Sequence, residues 1–141
     1  MTTEADVNFN SGMTAFESKE FNRAMHFLLP FAEQGNADAQ HRVSIMLQNG
    51  LGVVRNEFQA LKWMKEAAEQ GHAVAQHGLG FMYMEGDCVG KNMEKAIYWF
   101  TLAAEQGLAG SQTTLAMIYE EGIGVEKDDK IARMWFQKAG F

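Results

Sequence analysis

The sequence predicts an all-α chain of about four antiparallel helix pairs repeating every 36 residues, and three observations carry that prediction. The pentapeptide Ala67-Ala68-Glu69-Gln70-Gly71 returns as Ala103-Ala104-Glu105-Gln106-Gly107, and Phe31-Ala32-Glu33-Gln34-Gly35 precedes it, each copy 36 residues from the next. Other series keep the same step: Ala24, Ala60, Ala96 and Ala132; Phe27, Trp63, Trp99 and Trp135; Gln40, Gln76 and Gln112; Gly50, Gly86 and Gly122. Within a unit the apolar spacing is helical, as in Ala60, Trp63, Met64 and Ala67 or Ala96, Trp99, Phe100 and Ala103. Independent series in phase mark repeated supersecondary units that bury their apolar faces against neighbours.

Taken in order, the first helix pair spans about 5–17 and 19–34 and is the odd one. Only seven residues separate Phe16 from Ala24, against twelve between Tyr83 and Ala96, so its interhelical loop is shorter and lacks glycines. Pro30 lies inside its second helix and is expected to kink or end it near Leu29, because proline removes a backbone donor. The second pair spans about 37–49 and 57–70, the third 73–85 and 93–106, the fourth 109–121 and 129–139. Each is joined by a glycine-bearing loop: Asn49-Gly50-Leu51-Gly52-Val53, Glu85-Gly86-Asp87-Cys88-Val89 and Glu121-Gly122-Ile123-Gly124-Val125. Asn56, Asn92 and Asp128 stand where a short polar side chain caps the following helix. Gly35, Gly71 and Gly107 stand at C′, where a left-handed conformation costs glycine little.

These units are expected to form a single repeat domain over residues 1–141: unit one 4–35, unit two 36–71, unit three 72–107, and unit four 108–141 as a C-terminal cap. Leu61 and Ile97 read as facing a following unit, whereas Arg133 at the same position of the last unit faces water. Met134 and Ile131 replace Tyr98 and Lys95 and leave apolar surface on the final helix. A monomer is expected, with an end-to-end homodimer as the alternative.

A formal net charge of −6 disfavours non-specific binding to nucleic acid or to an anionic membrane. No 18-residue apolar run or signal-peptide pattern is present. The one cysteine cannot form an internal disulfide, so a cytoplasmic location is expected.

Chemistry is sparse. Cys88 occupies the loop position held elsewhere by Gly52 and Gly124; either it carries a positive φ at a cost of about 1–2 kcal/mol, or the loop changes shape. His41 and His77 share a repeat position, His72 belongs to a turn, and no second cysteine or carboxylate completes a tetrahedral metal set. Residues 86–92 have the outline of a phosphate-binding loop but are one residue short and carry Asn92 where Ser or Thr is needed. No catalytic residue, cofactor or metal is therefore expected. The tryptophan series reads as core.

The order Ala75-Gln76, Leu79-Gly80, Met82-Tyr83, Gly86, Val89, Lys95-Ala96, Trp99 and Ala103 to Gly107 resembles the Sel-one-like repeat (SLR), a subclass of the tetratricopeptide-like repeats. The resemblance covers roughly residues 36–141, while the first unit is more similar to an ordinary tetratricopeptide hairpin. It implies a right-handed α-solenoid superhelix acting as a scaffold for protein–protein contacts, with first helices lining the concave groove. Carried over to this sequence, the inward positions include His41, Ile45 and Gln48; His77, Phe81, Met84 and Glu85; and Met117, Glu120 and Glu121. Basic residues are missing from these positions, so a free C-terminal carboxylate is not the expected guest. The expected partner is a protein or peptide segment of basic-amphipathic character, received by adaptable methionines beside an acidic edge. Alternatively, Phe81 and Met117 only pack between units. A self-assembling module is the second functional reading, and the sequence gives no basis for an enzyme.

Overall fold

The computed structural model describes residues 2–141. Among them are eight helices and no strands: α1 Glu4–Glu17, α2 Phe21–Glu33, α3 Ala37–Asn49, α4 Glu57–Glu69, α5 Ala73–Glu85, α6 Met93–Glu105, α7 Ala109–Glu121 and α8 Asp129–Lys138. All bounds lie within two residues of those expected from the repeat. Contacts gather the helices into two compact units, one ending at Gln70 and the other spanning Gly71–Phe141.

In the first unit, α1 packs on α2, α2 on α3 and α3 on α4. Ala15, Ala24, Leu28, Ala32, Ala39, Val43, Met46 and Trp63 form its buried core. The short α1–α2 connection turns at Lys19, whose φ of 62° is left-handed without glycine's freedom. Backbone bonds from Lys19 N to the Phe16 carbonyl (3.1 Å) and from Glu20 N to the Ala15 carbonyl (2.8 Å) close the end of α1.

Pro30 does not end α2 near Leu29; the helix runs through it to Glu33. Only the His26 carbonyl loses its donor, and His26 and Pro30 both lie on the exposed side, where water can satisfy that oxygen. Burial of Ala32 and partial burial of Phe31 hold the last turn against the core.

The second unit repeats this pairing, with α5 on α6, α6 on α7 and α7 on α8. Gly80 lets α6 approach α5 closely: a Cβ there would lie 2.8 Å from the Phe100 ring, which is fully buried. The equivalent residues Ser44 and Ala116 are also small and buried, and the Ser44 hydroxyl donates to the Ala60 carbonyl at 2.6 Å. Trp63 and Trp135 are buried as expected, but Trp99 is only half-buried and meets Tyr98 edge-on at 5.1 Å. Ile97 on α6 is half-buried, whereas Arg133 and Met134 on α8 are exposed.

Local punctuation explains why these segments stop and start where they do. Asn36, Asn56, Asn92 and Asp128 each accept a backbone N–H three residues on, at 2.9–3.0 Å. Gly50, Gly86 and Gly122 end α3, α5 and α7 in the left-handed conformation. Each following loop is closed by one backbone bond: Asn56 N to the Leu47 carbonyl, Asn92 N to Tyr83, and Asp128 N to Tyr119. Cys88 adopts φ 65° where Gly52 and Gly124 adopt 69°, so the loop keeps its shape and cysteine carries the strain.

The glutamine series joins one pair to the next. Gln40 Nε2 donates to the Ala32 carbonyl at 3.1 Å, and Gln112 Nε2 to the Ala104 carbonyl at 3.0 Å. The glutamine of the pentapeptide completes the contact, Gln70 donating to Gln40 Oε1 and Gln106 to Gln76 Oε1, both at 2.8 Å.

Two outcomes are expected in chemical denaturation. Gln112→Ala removes one of two donors to the buried Ala104 carbonyl, which keeps Gly107 N, and should lower stability by about 0.5–1.5 kcal/mol. Cys88→Gly relieves the left-handed strain and should raise it by about 1 kcal/mol.

Candidate docking surface on the second unit

Helices α5 and α7 are the first helices of their pairs, and their helical spacing places a band of apolar side chains on matching faces. On α5 the band is Phe81 and Met84 with Glu85 one turn beyond Phe81; on α7 it is Thr114, Met117 and Ile118 with Glu121 one turn beyond Met117. Together with Ile123 from the following loop, Phe81, Met84, Thr114, Met117 and Ile118 line a cavity of about 190 Å³. Ile118, 1% exposed, forms its floor, whereas Phe81 and Met117 remain 36% and 47% exposed. The Thr114 hydroxyl is held by its own helix, donating to the Gly110 carbonyl at 2.8 Å.

Phe81 both packs and faces outward. Its ring meets His77 at 4.9 Å and Phe100 at 5.1 Å, both edge-on, and His77 meets Phe100 at 5.4 Å. His77 Nδ1 and the buried Ser111 hydroxyl share a 2.6 Å hydrogen bond that ties α5 to the first turn of α7. Burial pushes the His77 imidazole below its ordinary pKa, because the charged form loses water there.

Both signs of charge stand at one end of the cavity, with Lys91 and Lys127 beside Gly86 and Gly122. Glu85 and Glu121 are exposed at the C-termini of α5 and α7, whose last turns hold no basic residue. A helix C-terminus itself presents negative partial charge, to which the two carboxylates add and which the two lysines offset in part.

The structure therefore gathers His77, Phe81, Met84 and Met117 around one feature. Glu120 lies elsewhere, lining a cleft with Asp129, Arg133, Phe136 and Phe141 against α8. His41, Ile45 and Gln48 are half-buried on α3 in the first unit; the Gln48 carbonyl accepts from Arg55 Nε at 2.7 Å. Sequence reasoning missed Thr114, Ile118 and Ile123. The available signal was Ile123 itself, an apolar residue at the loop position where unit three carries Asp87.

Other candidate chemistry has local explanations. His72 caps α5, its Nδ1 accepting from Ala75 N at 3.0 Å. The Cys88 thiol donates to the Asp87 carboxylate at 3.7 Å. Among the described residues, no group of three His, Cys, Asp or Glu is placed to hold a metal ion, and no helix is long and apolar enough to cross a membrane.

Paired helices joined by glycine loops, with first helices offering an apolar surface, define an α-helical hairpin-repeat protein of the interaction-module class. The Sel1 repeat model matches residues 16–36, 37–72, 73–108 and 109–140, and the chain belongs to that family. A Sel1 repeat protein from Oxalobacter formigenes is similar in structure, with 36% identity and a TM-score of 0.86 over 93% of this chain and 54% of its own. So is c5321, a protective antigen present in uropathogenic Escherichia coli strains that displays an SLR fold, with 37% identity and a TM-score of 0.88 over 96% of this chain and 30% of its own. The chain thus spans only 54% and 30% of the lengths of these two proteins. No curated protein sequence matches it. The fold class is the all-α repeat solenoid of this family, whose members are generally non-catalytic scaffolds for protein interaction.

The half-buried His77 gives the second unit a pH dependence with a definite sign. Its folded pKa lies below the ordinary 6.5, so the unfolded chain binds more protons as the medium is acidified. Its contribution is fully present above about pH 6.5 and is lost as pH falls through the folded value. In thermal melts between pH 7.5 and 5, wild type should lose more midpoint temperature than His77→Gln, which cannot titrate.

Proposed function

We propose that the chain is a non-catalytic scaffold or adaptor that receives a basic-amphipathic segment of another protein along its first helices. The observation that supports this reading most is the apolar cavity between α5 and α7, with carboxylates one turn beyond two of its walls. An adaptable methionine pair accepts an apolar face, and the acidic edge attracts lysine or arginine while repelling anionic partners. On this reading Phe81, Met84 and Met117 make the apolar contacts and Glu85 the polar one, with His77 supporting Phe81 from behind. His41, Ile45 and Gln48 occupy the corresponding positions of α3, and Glu120 lines a separate cleft against α8. Nucleic acid is not the proposed partner, in keeping with the net charge of −6.

The test is binding of a synthetic lysine-rich amphipathic peptide, followed by fluorescence anisotropy at several salt concentrations. Affinity should fall as salt rises, because exposed charges are screened. The double substitution Phe81→Ser and Met84→Ser should weaken binding at least about tenfold, the scale of a small hot spot, while far-UV circular dichroism keeps its helical signal. Unchanged affinity in the double variant would overturn the reading.

A further inference from the structure

We propose that the cavity between α5 and α7 is a socket for one bulky apolar side chain, phenylalanine or leucine, carried by a segment with lysine or arginine within one turn of that anchor. This deepens the docking reading and rests on it.

Size comes first. A closed apolar cavity of about 150 Å³ admits benzene. The socket measures about 190 Å³, enough for a phenyl ring or a branched four-carbon side chain but not for a long row of residues. Its floor is the buried Ile118, its walls are Phe81, Met84 and Met117, and Ile123 stands at its margin, 39% exposed. The lining is almost entirely hydrocarbon, since the Thr114 hydroxyl is spent within α7. A polar or charged anchor would lose its water without gaining a partner.

Rigidity on one side and compliance on the other suit an anchor. Phe81 is fixed by edge-on contacts with His77 and Phe100, and the His77–Ser111 bond braces that cluster from behind. Opposite it, Met84 and Met117 can adjust their unbranched side chains to a ring or to a branched aliphatic group.

Charge then fixes the flanking residues. The 36-residue step pairs Phe81 with Met117 and Glu85 with Glu121, so both carboxylates lie toward the same end of the socket. They coincide there with two negative helix C-termini. The segment's cations therefore lie on that side of its apolar anchor. The equivalent positions of α3 read Ile45 and Asn49, so the first unit has no matching carboxylate, and the second unit is where anchor and cation are read together.

The experiment uses the full chain with methyl-¹³C methionine and a synthetic helical dodecapeptide bearing one phenylalanine flanked by lysines. Binding should shift the Met84 and Met117 methyl signals while leaving the buried Met46 and Met64 signals in place as a check on folding. Replacing the peptide's phenylalanine with leucine should preserve affinity, and with alanine should lower it at least about tenfold, as loss of one buried anchor does. Filling the socket through Thr114→Phe should weaken the phenylalanine peptide and spare the alanine peptide. Glu85→Gln with Glu121→Gln should weaken all the peptides while keeping the ratio between phenylalanine and alanine. Equal binding of the phenylalanine and alanine peptides, still weakened by Phe81→Ser with Met84→Ser, would overturn the socket and leave the docking reading standing. Failure of every lysine-rich peptide to bind, with or without phenylalanine, would overturn both.

Discussion

A glutamine buried near the start of α3 and another near the start of α7 tie each of these helices to the pair before it, and the packing within each unit depends on that contact. The last turn of an α-helix leaves carbonyl groups without intrahelical donors, and burying them unpaired is costly. The Ala32 and Ala104 carbonyls accept from Gly35 N and Gly107 N, Gln40 and Gln112 add a second donor to each, and each unit's pentapeptide glutamine binds a series glutamine in turn. No buried side-chain nitrogen or oxygen is left unpaired among the described residues. This accounts for the recurring pentapeptide in physical terms. Its alanines, buried in every copy, let the next helix reach the backbone; its glutamine bridges; its glycine turns the chain in a left-handed conformation at φ 92–96°.

The same economy shapes the second unit's surface. Gly80 lets Phe100 lie directly on α5, and Phe100 with His77 then holds Phe81 at the edge of the cavity. A close helix contact in the core thus positions an exposed aromatic ring. Glutamate ends most of the helices, so anionic C-termini alone mark nothing. What distinguishes Glu85 and Glu121 is an apolar cavity residue one turn before each, which places charge beside hydrocarbon.

Repetition made the helices legible because it sampled each structural rule several times. Three capping residues and three C′ glycines at one spacing gave boundaries that a single copy would have left open. Where the repeat breaks, reading was weaker. Pro30 has no counterpart, and its effect depended on whether the freed His26 carbonyl faced water or the core. Lys19 gave no sign that it would turn left-handed, since the demand comes from closing a short loop between two packed helices. Trp99 shares its series with two buried tryptophans yet stays half-exposed, because burial is set by neighbours rather than by register.

By itself the sequence determined eight helices, their pairing, the caps Asn56, Asn92 and Asp128 and the apolar spacing within a unit, because all of these follow from spacing along one chain. Tertiary structure alone decided which members of those faces meet. It brought Met84 to Met117, drew in Ile118 and Ile123, and set Glu120 in a different cleft from the cavity. Helical periodicity fixes the direction of a side chain to within a face, but an enclosed volume depends on the approach of a second helix. That approach is governed by a small core residue and a part-buried hydrogen bond just behind the surface they shape.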